Sequence, residues 1–512
     1  MSVFRRKRKE AQLILFFTVL KFLLHLFANS NFGFHRDELL YIALGEHLDW
    51  GFKEVPPFIS VVSWIGVHIF GGSVFAVRLL PSLAGALTVY LCGLMALNMG
   101  GKRFAISVAC LGMIISPAFL ASQYLLQPVV FDQLFWTLSA YFAMSYVQTK
   151  NVAFLYWLGA AIGFGMLNKY TMALYAGALV LGLLFSSQRK LLFNKHVLGA
   201  AGIALLIFSP NLVWQLTHKL PVISHMKELK ETQLEYIGPA DFLLGQLFLH
   251  ASGIFIWLPA LVYLFFSRVR RKFVFLSTAY VFTVVILIVL HGKGYYSFGA
   301  YPALFAAGGV FWQKILSRLQ EPARYAILAG CLVPSLLFVP IAIPILPFST
   351  SLKFFEFTST KMKLDFPLKW EDQKLHATTQ DYADMLGWDE IAFNVDKAYK
   401  SLSDEQRKSV TVFAENYGMA GAADHLGKSY NLPATVCLSS SYALWAPDSI
   451  QTNQIIYVGE DISLIGKAYK DAVKVGEVTN PFAREHGTAI YLLSNPLINI
   501  NPKYRAELDT RR

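Results

Sequence analysis

Charge is scarce in this chain. Only 15% of its 512 residues are Asp, Glu, Lys or Arg, against roughly 25% in a soluble domain. With 55% hydrophobic residues, the chain is not built for water throughout. Cysteine is scarcer still, at four residues: Cys92, Cys110 and Cys331 lie in apolar runs and Cys437 stands alone in a polar tail. That excludes a disulfide framework and zinc-finger spacing, and the thiols in apolar runs read as small packing residues. No internal repeat is visible, which counts against transporters built from duplicated halves. Paired histidines of the kind that hold zinc are also missing. "GMAG" at Gly418 is not a dinucleotide fingerprint; its small residues suit a tight strand-to-helix turn.

What the chain does have is long apolar runs. Stretches of about 18 residues or more are long enough to cross a bilayer core of about 30 Å. They are expected near 11–28, 78–99, 104–125, 129–147, 153–168, 170–186, 196–216, 246–266, 273–290, 296–313 and 324–346, giving about 11 transmembrane helices. After Phe348 no such run recurs. The expected architecture is a polytopic α-helical membrane domain over 1–348, with an outer loop at 29–77, followed by a soluble α/β domain over 349–512.

The net charge of +12 is explained by its placement. Basic residues gather in "FRRKRKE" at Phe4, "GGKR" at Gly100, "SSQRKLLFNK" at Ser186, "SRVRRK" at Ser267 and "QKILSRLQEPAR" at Gln313. With the N-terminus inside, alternate crossings put all five in the cytoplasm, as the positive-inside rule requires. Topology, not nucleic-acid binding, accounts for the charge. The same alternation puts 29–77, 126–128, 217–245, 291–295 and everything after 347 outside. The first run reads as a signal anchor, with a cleaved signal peptide as the alternative, because Lys21 and His25 interrupt it and it still continues to Ala28. Pro56 to Phe70 is apolar but short, so it reads as an interfacial or re-entrant helix begun by Pro56 and Pro57. In the tail, "SVTVFAENYG" is strand running into the helical "MAGAADHLGKSYN", and "LPATVCLS", "NQIIYVGED" and "GTAIYLLSN" are further strands, a pattern that suggests parallel pairing.

Acidic groups fall on the outer side of this topology. Asp37 and Glu38 follow the first membrane segment, Glu54 precedes the double proline, and Asp132 lies in "YLLQPVVFDQLFW", near the start of a segment. An ionised Asp in a membrane helix costs about 2.5–3.5 kcal/mol at the centre and less near the interface, so Asp132 is expected to face a wet cavity or a cation. Arg78, Lys169, His291, Lys293, Tyr295 and Tyr296 belong to the same face. Singly they read as snorkelling anchors and interfacial aromatics. Together, acids and bases on one leaflet suit a substrate carrying phosphate and hydroxyls.

These residues also resemble a known family. "HRDELLYIALGEHLDWGFKEVPPF" is similar to the first outer loop of the GT-C glycosyltransferases, closest to family 39, which includes protein O-mannosyltransferases and the lipid A aminoarabinose transferase. The resemblance continues in order through "RLLPSLAGALTVYL", "FDQLFW", "GFGMLNKYTM" and "KGYYSFGAYPALF", over roughly residues 30–312. It implies transfer of a sugar from a polyprenyl-phosphate donor to a lipid, protein or glycan acceptor at a bacterial inner membrane, with the active site and C-terminal domain on the periplasmic side. Asp37 matches the catalytic acid, expected as general base in a single inverting displacement; Glu38 is its neighbour and Asp132 the second acidic site. Glu54, Arg78, Lys169, His291, Lys293, Tyr295 and Tyr296 are the expected substrate contacts. Where the aminoarabinose-type pattern has Lys between acid and Pro-Pro, this chain has Val55, leaving Lys293, Lys169 or Arg78 to contact the phosphate. No cofactor is fixed by the pattern, although Asp37, Glu54 and Asp132 leave room for a divalent cation. The readings from other classes are a secondary transporter, which would place charges at mid-membrane, and a lipid-binding membrane scaffold.

Overall fold

The computed structural model describes residues 2–235, 238–463 and 465–512. The chain divides into two compact units, one made of 1–29, 55–59 and 77–345, the other of 30–54, 60–76 and 346–512.

The first unit is helical. Among the described residues five helices are long and apolar enough to cross a membrane: Arg8–Ala28, Val74–Asn98, Lys195–Thr217, Arg271–Val289 and Glu321–Ala342. A sixth crossing is available if Pro239–Leu249 and Ala251–Phe266, bent by 67° at their junction, form one span. The 22-residue helix Pro128–Thr149 and the shorter apolar helices Arg103–Ile114, Ala153–Asn168 and Thr171–Leu184 lie between them in sequence. This is a multi-pass membrane protein.

Three expected runs are interrupted. The run expected at 104–125 stops at Ile114 and resumes as Pro117–Ala121, with Ser116 extended at φ −65°, ψ 123°. Proline disfavours helical backbone in the residue before it, so Pro117 makes that break. The 246–266 run is broken at His250, whose Nδ1 pairs with Ser116 Oγ at 2.9 Å. In the 324–346 run, Pro334 and Pro340 accompany a change from α-helix at Leu332 to a 3-10 stretch, Val333–Phe338. The helices that remain pack closely through small residues. A side chain at Gly159 would strike the Ala200 backbone, and one at Gly309 the Ala105 carbonyl, so Ala153–Asn168 meets Lys195–Thr217, and Tyr301–Ile315 meets Arg103–Ile114, at backbone distance. Lys21, fully buried in the first helix, donates from Nζ to the Phe119 carbonyl at 2.9 Å.

The second unit holds a five-stranded sheet: β1 (Val410–Ala414), β2 (Thr435–Cys437), β3 (Gln454–Gly459), β4 (Tyr469–Glu477) and β5 (Ala489–Pro496), in the order β2-β1-β3-β5-β4. β1 runs parallel to β2 and β3, as strand–helix alternation suggests. β5 returns antiparallel to both β3 and β4. β4, "YKDAVKVGE", is a charged edge strand with mostly exposed residues, a composition that discourages pairing with another chain. The N-terminal segment supplies the helix Arg36–Glu46, which lies on the helix Tyr417–Gly427. The small residues of "GMAG" serve that contact: a Cβ at Gly421 would sit 2.8 Å from Leu39 Cβ, and one at Gly418 2.8 Å from Arg36 Cγ. The Phe58–His68 helix follows Pro56 and Pro57 where the sequence places it.

Candidate functional site

In the second unit the site residues are built around one helix start. His35 is the N-cap of Arg36–Glu46: its Nδ1 accepts from Asp37 N at 3.1 Å, and Glu38 Oε2 accepts from His35 N at 2.8 Å. This is a capping box with histidine in place of Ser or Thr. Glu38 is therefore fully buried and turned back on its own helix. Asp37, half-buried in the same first turn, lies at the end of the helix dipole that favours an anion. Tyr417 Oη donates to Asp37 Oδ1 at 2.9 Å. Burial, then the Asp37 charge, pushes the Tyr417 phenol well above its ordinary range, so it stays a donor at neutral pH.

Around this pair runs a chain of charges. The Arg36 guanidinium sits 4.8 Å from the Tyr417 ring centroid, and its Nε is 3.8 Å from Glu485 Oε1. His35 Nε2 is 3.8 Å from Asp384 Oδ2 and 4.0 Å from Asp381 Oδ1. Arg484 Nη1 reaches both Asp384 oxygens at 3.3 and 3.2 Å. Burial raises the Asp384 carboxyl above its usual range, while His35 and Arg484 pull it back. Tyr417, Asp381, Asp384, Arg484 and Glu485 are absent from the sequence-derived site. "ENYG" and "TTQDYADMLG" are the local signals that carry the first three. Glu54 accepts from Ser441 Oγ, which also accepts from Lys53 N at 3.0 Å. The other Glu54 oxygen, Oε1, is buried without a hydrogen-bond partner.

In the first unit the charges gather where two helices end and begin. Asp132, 5% exposed, accepts from Thr171 Oγ1 at 2.8 Å through Oδ2, while Oδ1 is buried with no hydrogen-bond partner. Lys169 stands in the break between Ala153–Asn168 and Thr171–Leu184, in extended conformation. Asn168 Nδ2 ties that break to the Pro128 carbonyl at 2.9 Å, at the start of the Asp132 helix. The Lys169 ammonium is 4.9 and 4.4 Å from the ring centroids of Tyr295 and Tyr296, an attraction that strengthens when water is excluded. Lys169 lies within electrostatic reach of both Asp132 and Lys293. The structure thus brings Asp132, Lys169, Lys293, Tyr295 and Tyr296 together. His291 lies just past the end of the helix Val274–Val289, at φ 53°, and is exposed. Arg78 is fully buried, donating from Nη1 to the Asn29 carbonyl at 3.0 Å, with its guanidinium 5.4 Å from the Tyr124 ring centroid.

Among the described residues no three His, Cys, Asp or Glu side chains gather as metal ligands.

Residues 54–214 match the dolichyl-phosphate-mannose-protein mannosyltransferase family. The lipid A galacturonosyltransferase RgtD of Rhizobium johnstonii is 24% identical over 207 residues, 38% of this chain and 41% of that protein. The lipopolysaccharide core galacturonosyltransferase RgtB of the same organism is 28% identical over 169 residues, 32% of this chain and 34% of that one. The match thus spans less than half the length of either relative. Among solved structures, ArnT from Cupriavidus metallidurans bound to undecaprenyl phosphate covers 94% of this chain and 97% of its own, with a TM-score of 0.62 at 13% identity. At that identity the likeness is one of fold, and the GT-C resemblance read from the sequence holds: the chain has the ArnT fold.

Proposed function

We propose that this chain is an integral-membrane glycosyltransferase that moves a sugar from a polyprenyl-phosphate donor to an acceptor hydroxyl on a lipopolysaccharide-type glycolipid. The observation that carries this reading is the family match over 54–214, which contains Glu54, Arg78, Asp132 and Lys169. The names of the relatives, two galacturonosyltransferases of lipid A and lipopolysaccharide core, favour a glycolipid acceptor. The crystallised ArnT complex favours a polyprenyl phosphate as the departing group.

In the proposed reaction Asp37 draws the proton from the acceptor hydroxyl as its oxygen attacks the anomeric carbon. The new C–O bond forms as the bond to the lipid phosphate breaks, and a single displacement inverts the centre. The Tyr417 hydrogen bond fixes one Asp37 oxygen. Glu38 acts by holding the helix start. Lys169 and Lys293, with Tyr295 and Tyr296, supply the cationic surface for a leaving phosphate. Asp132 orients Lys169, Glu54 contacts acceptor hydroxyls, His291 borders the phosphate, and Arg78 holds the Asn29 turn. Eleven crossings, a boundary near 348, a bacterial inner membrane and a periplasmic working face belong to the same proposal, supported by the five basic loops on the opposite side.

The test uses isolated membranes and a labelled polyprenyl-phosphate sugar. Asp37→Asn keeps an acceptor for Tyr417 but is no base, and turnover falls by about 10²–10⁴-fold. Turnover like that of the unaltered chain removes Asp37 from this role. Release of free polyprenyl phosphate separates transfer from transport.

A further inference from the structure

A cavity of about 350 Å³ lies between the helices Pro128–Thr149, Ala153–Asn168, Thr171–Leu184 and Lys195–Thr217, away from every residue assigned above. Leu158, Gly159, Ile162, Gly177, Val180 and Leu191 are among its walls, and nearly all of its surface is apolar. Its volume falls in the range of ligand pockets, and apolar cavities even of about 150 Å³ stay dry and accept apolar guests. It opens sideways: Gly177 is exposed, Val180 is 49% exposed, and a Cβ built at Gly177 would meet nothing within 4 Å. In a membrane helix bundle such an opening faces lipid chains.

One end of the groove is strongly basic. Leu191 and Leu192 line it and directly follow Arg189 and Lys190, both exposed. Lys195, also exposed, opens the helix whose Val197 and Ala201 complete the wall. Lys150 closes the Pro128–Thr149 helix and reaches Gln188 Oε1 at 3.4 Å. Burial, and repulsion from Lys272, hold its ammonium below the usual lysine range. No Asp or Glu occurs from Gln133 to Lys227, so this stretch of chain brings no carboxylate to balance these cations. Tyr146 Oη, at the same end, accepts from Asn194 Nδ2 at 3.1 Å and is a further polar group for a headgroup.

We propose that this groove holds an acyl chain of an anionic phospholipid whose phosphate is held by Arg189, Lys190 and Lys195. Apolar length beside clustered cations is the complement of such a lipid. A zwitterionic lipid fills the groove equally well but leaves the positive charge uncompensated. The site stands independently of the glycosyl-transfer reading, and its occupant is a component of the bilayer.

Native mass spectrometry of the full chain in detergent, titrated with phosphatidylglycerol or phosphatidylcholine, tests it. The unaltered chain retains a phosphatidylglycerol adduct at least about tenfold more tightly than a phosphatidylcholine one. Gly177→Phe, which fills the groove from an open position and improves helix propensity, loses that adduct. The triple variant R189Q/K190Q/K195Q, changed only at exposed positions, keeps lipid but binds the two equally. Equal binding by the unaltered chain, an unchanged phosphatidylglycerol adduct in Gly177→Phe, or displacement by an equimolar polyprenyl phosphate each overturns the proposal.

Discussion

At the scale of single residues, two neighbours with the same charge have different surroundings. Asp37 is half-exposed and receives a hydroxyl from Tyr417, whereas Glu38 is buried and accepts the His35 amide. Glu38→Gln preserves an acceptor and leaves stability nearly unchanged; Glu38→Ala leaves that amide unpaired and costs about 1–3 kcal/mol, read from the shift in apparent Tm. His425 gives a second prediction. Its Nε2 donates to the Gly72 carbonyl at 3.0 Å, its ring packs edge-on against Phe34, and its Nδ1 is buried without a hydrogen-bond partner. Burial lowers its pKa below 6.5, with Lys428 lowering it further and Glu46 and the Gly72 bond opposing. As pH falls below 6.5 the unfolded chain takes up this proton before the folded one does. Stability present above that pH is therefore lost on acidification. Apparent Tm between pH 7 and 5 should fall less steeply in His425→Gln, whose amide still reaches Gly72, than in the unaltered chain.

At the scale of elements, the union of Arg36–Glu46 with Tyr417–Gly427 depends on small residues at the contact. Gly421→Val places methyl groups against Leu39, whose Cβ and carbonyl oxygen already stand 2.8 and 2.9 Å from where a Cβ would be. Overpacking of this kind costs about 1–3 kcal/mol, and the loss should appear as faster hydrogen exchange in both helices. Local signals in the chain announce much of this scale. The double proline announces Phe58–His68, and the apolar runs announce most of the helices. The break at Ser116 is missed: Pro117 makes it, but the apolar run over 104–125 conceals it from hydropathy. β4 escapes because "KDAVKV" is charged on an exposed edge and carries no burial pattern. Asp37 and Glu38 stand out because a membrane run ends just before them, while their different burial depends on the capping geometry, which hydropathy does not encode. The partners of Asp37 were hidden for another reason. Tyr417, Asp384, Arg484 and Glu485 reach that neighbourhood by tertiary folding of a distant segment, and pattern within a short window cannot pair them.

At the scale of the whole molecule, the second unit is sewn from three separate stretches, 30–54, 60–76 and 346–512. The tail taken alone lacks the Arg36–Glu46 helix, leaving the small-residue face of Tyr417–Gly427 without its partner. A fragment of 346–512 should aggregate on expression, while the same fragment joined to 30–76 through a Gly/Ser linker should stay soluble and melt cooperatively. The hydrogen bond from Tyr417 to Asp37 joins positions 380 residues apart. During synthesis Asp37 leaves the ribosome long before Tyr417 does. A ribosome stalled before that point releases a chain already threaded into the bilayer but lacking the hydroxyl that steadies its carboxylate. The order of synthesis thereby holds this pair incomplete while every residue between its two members is made.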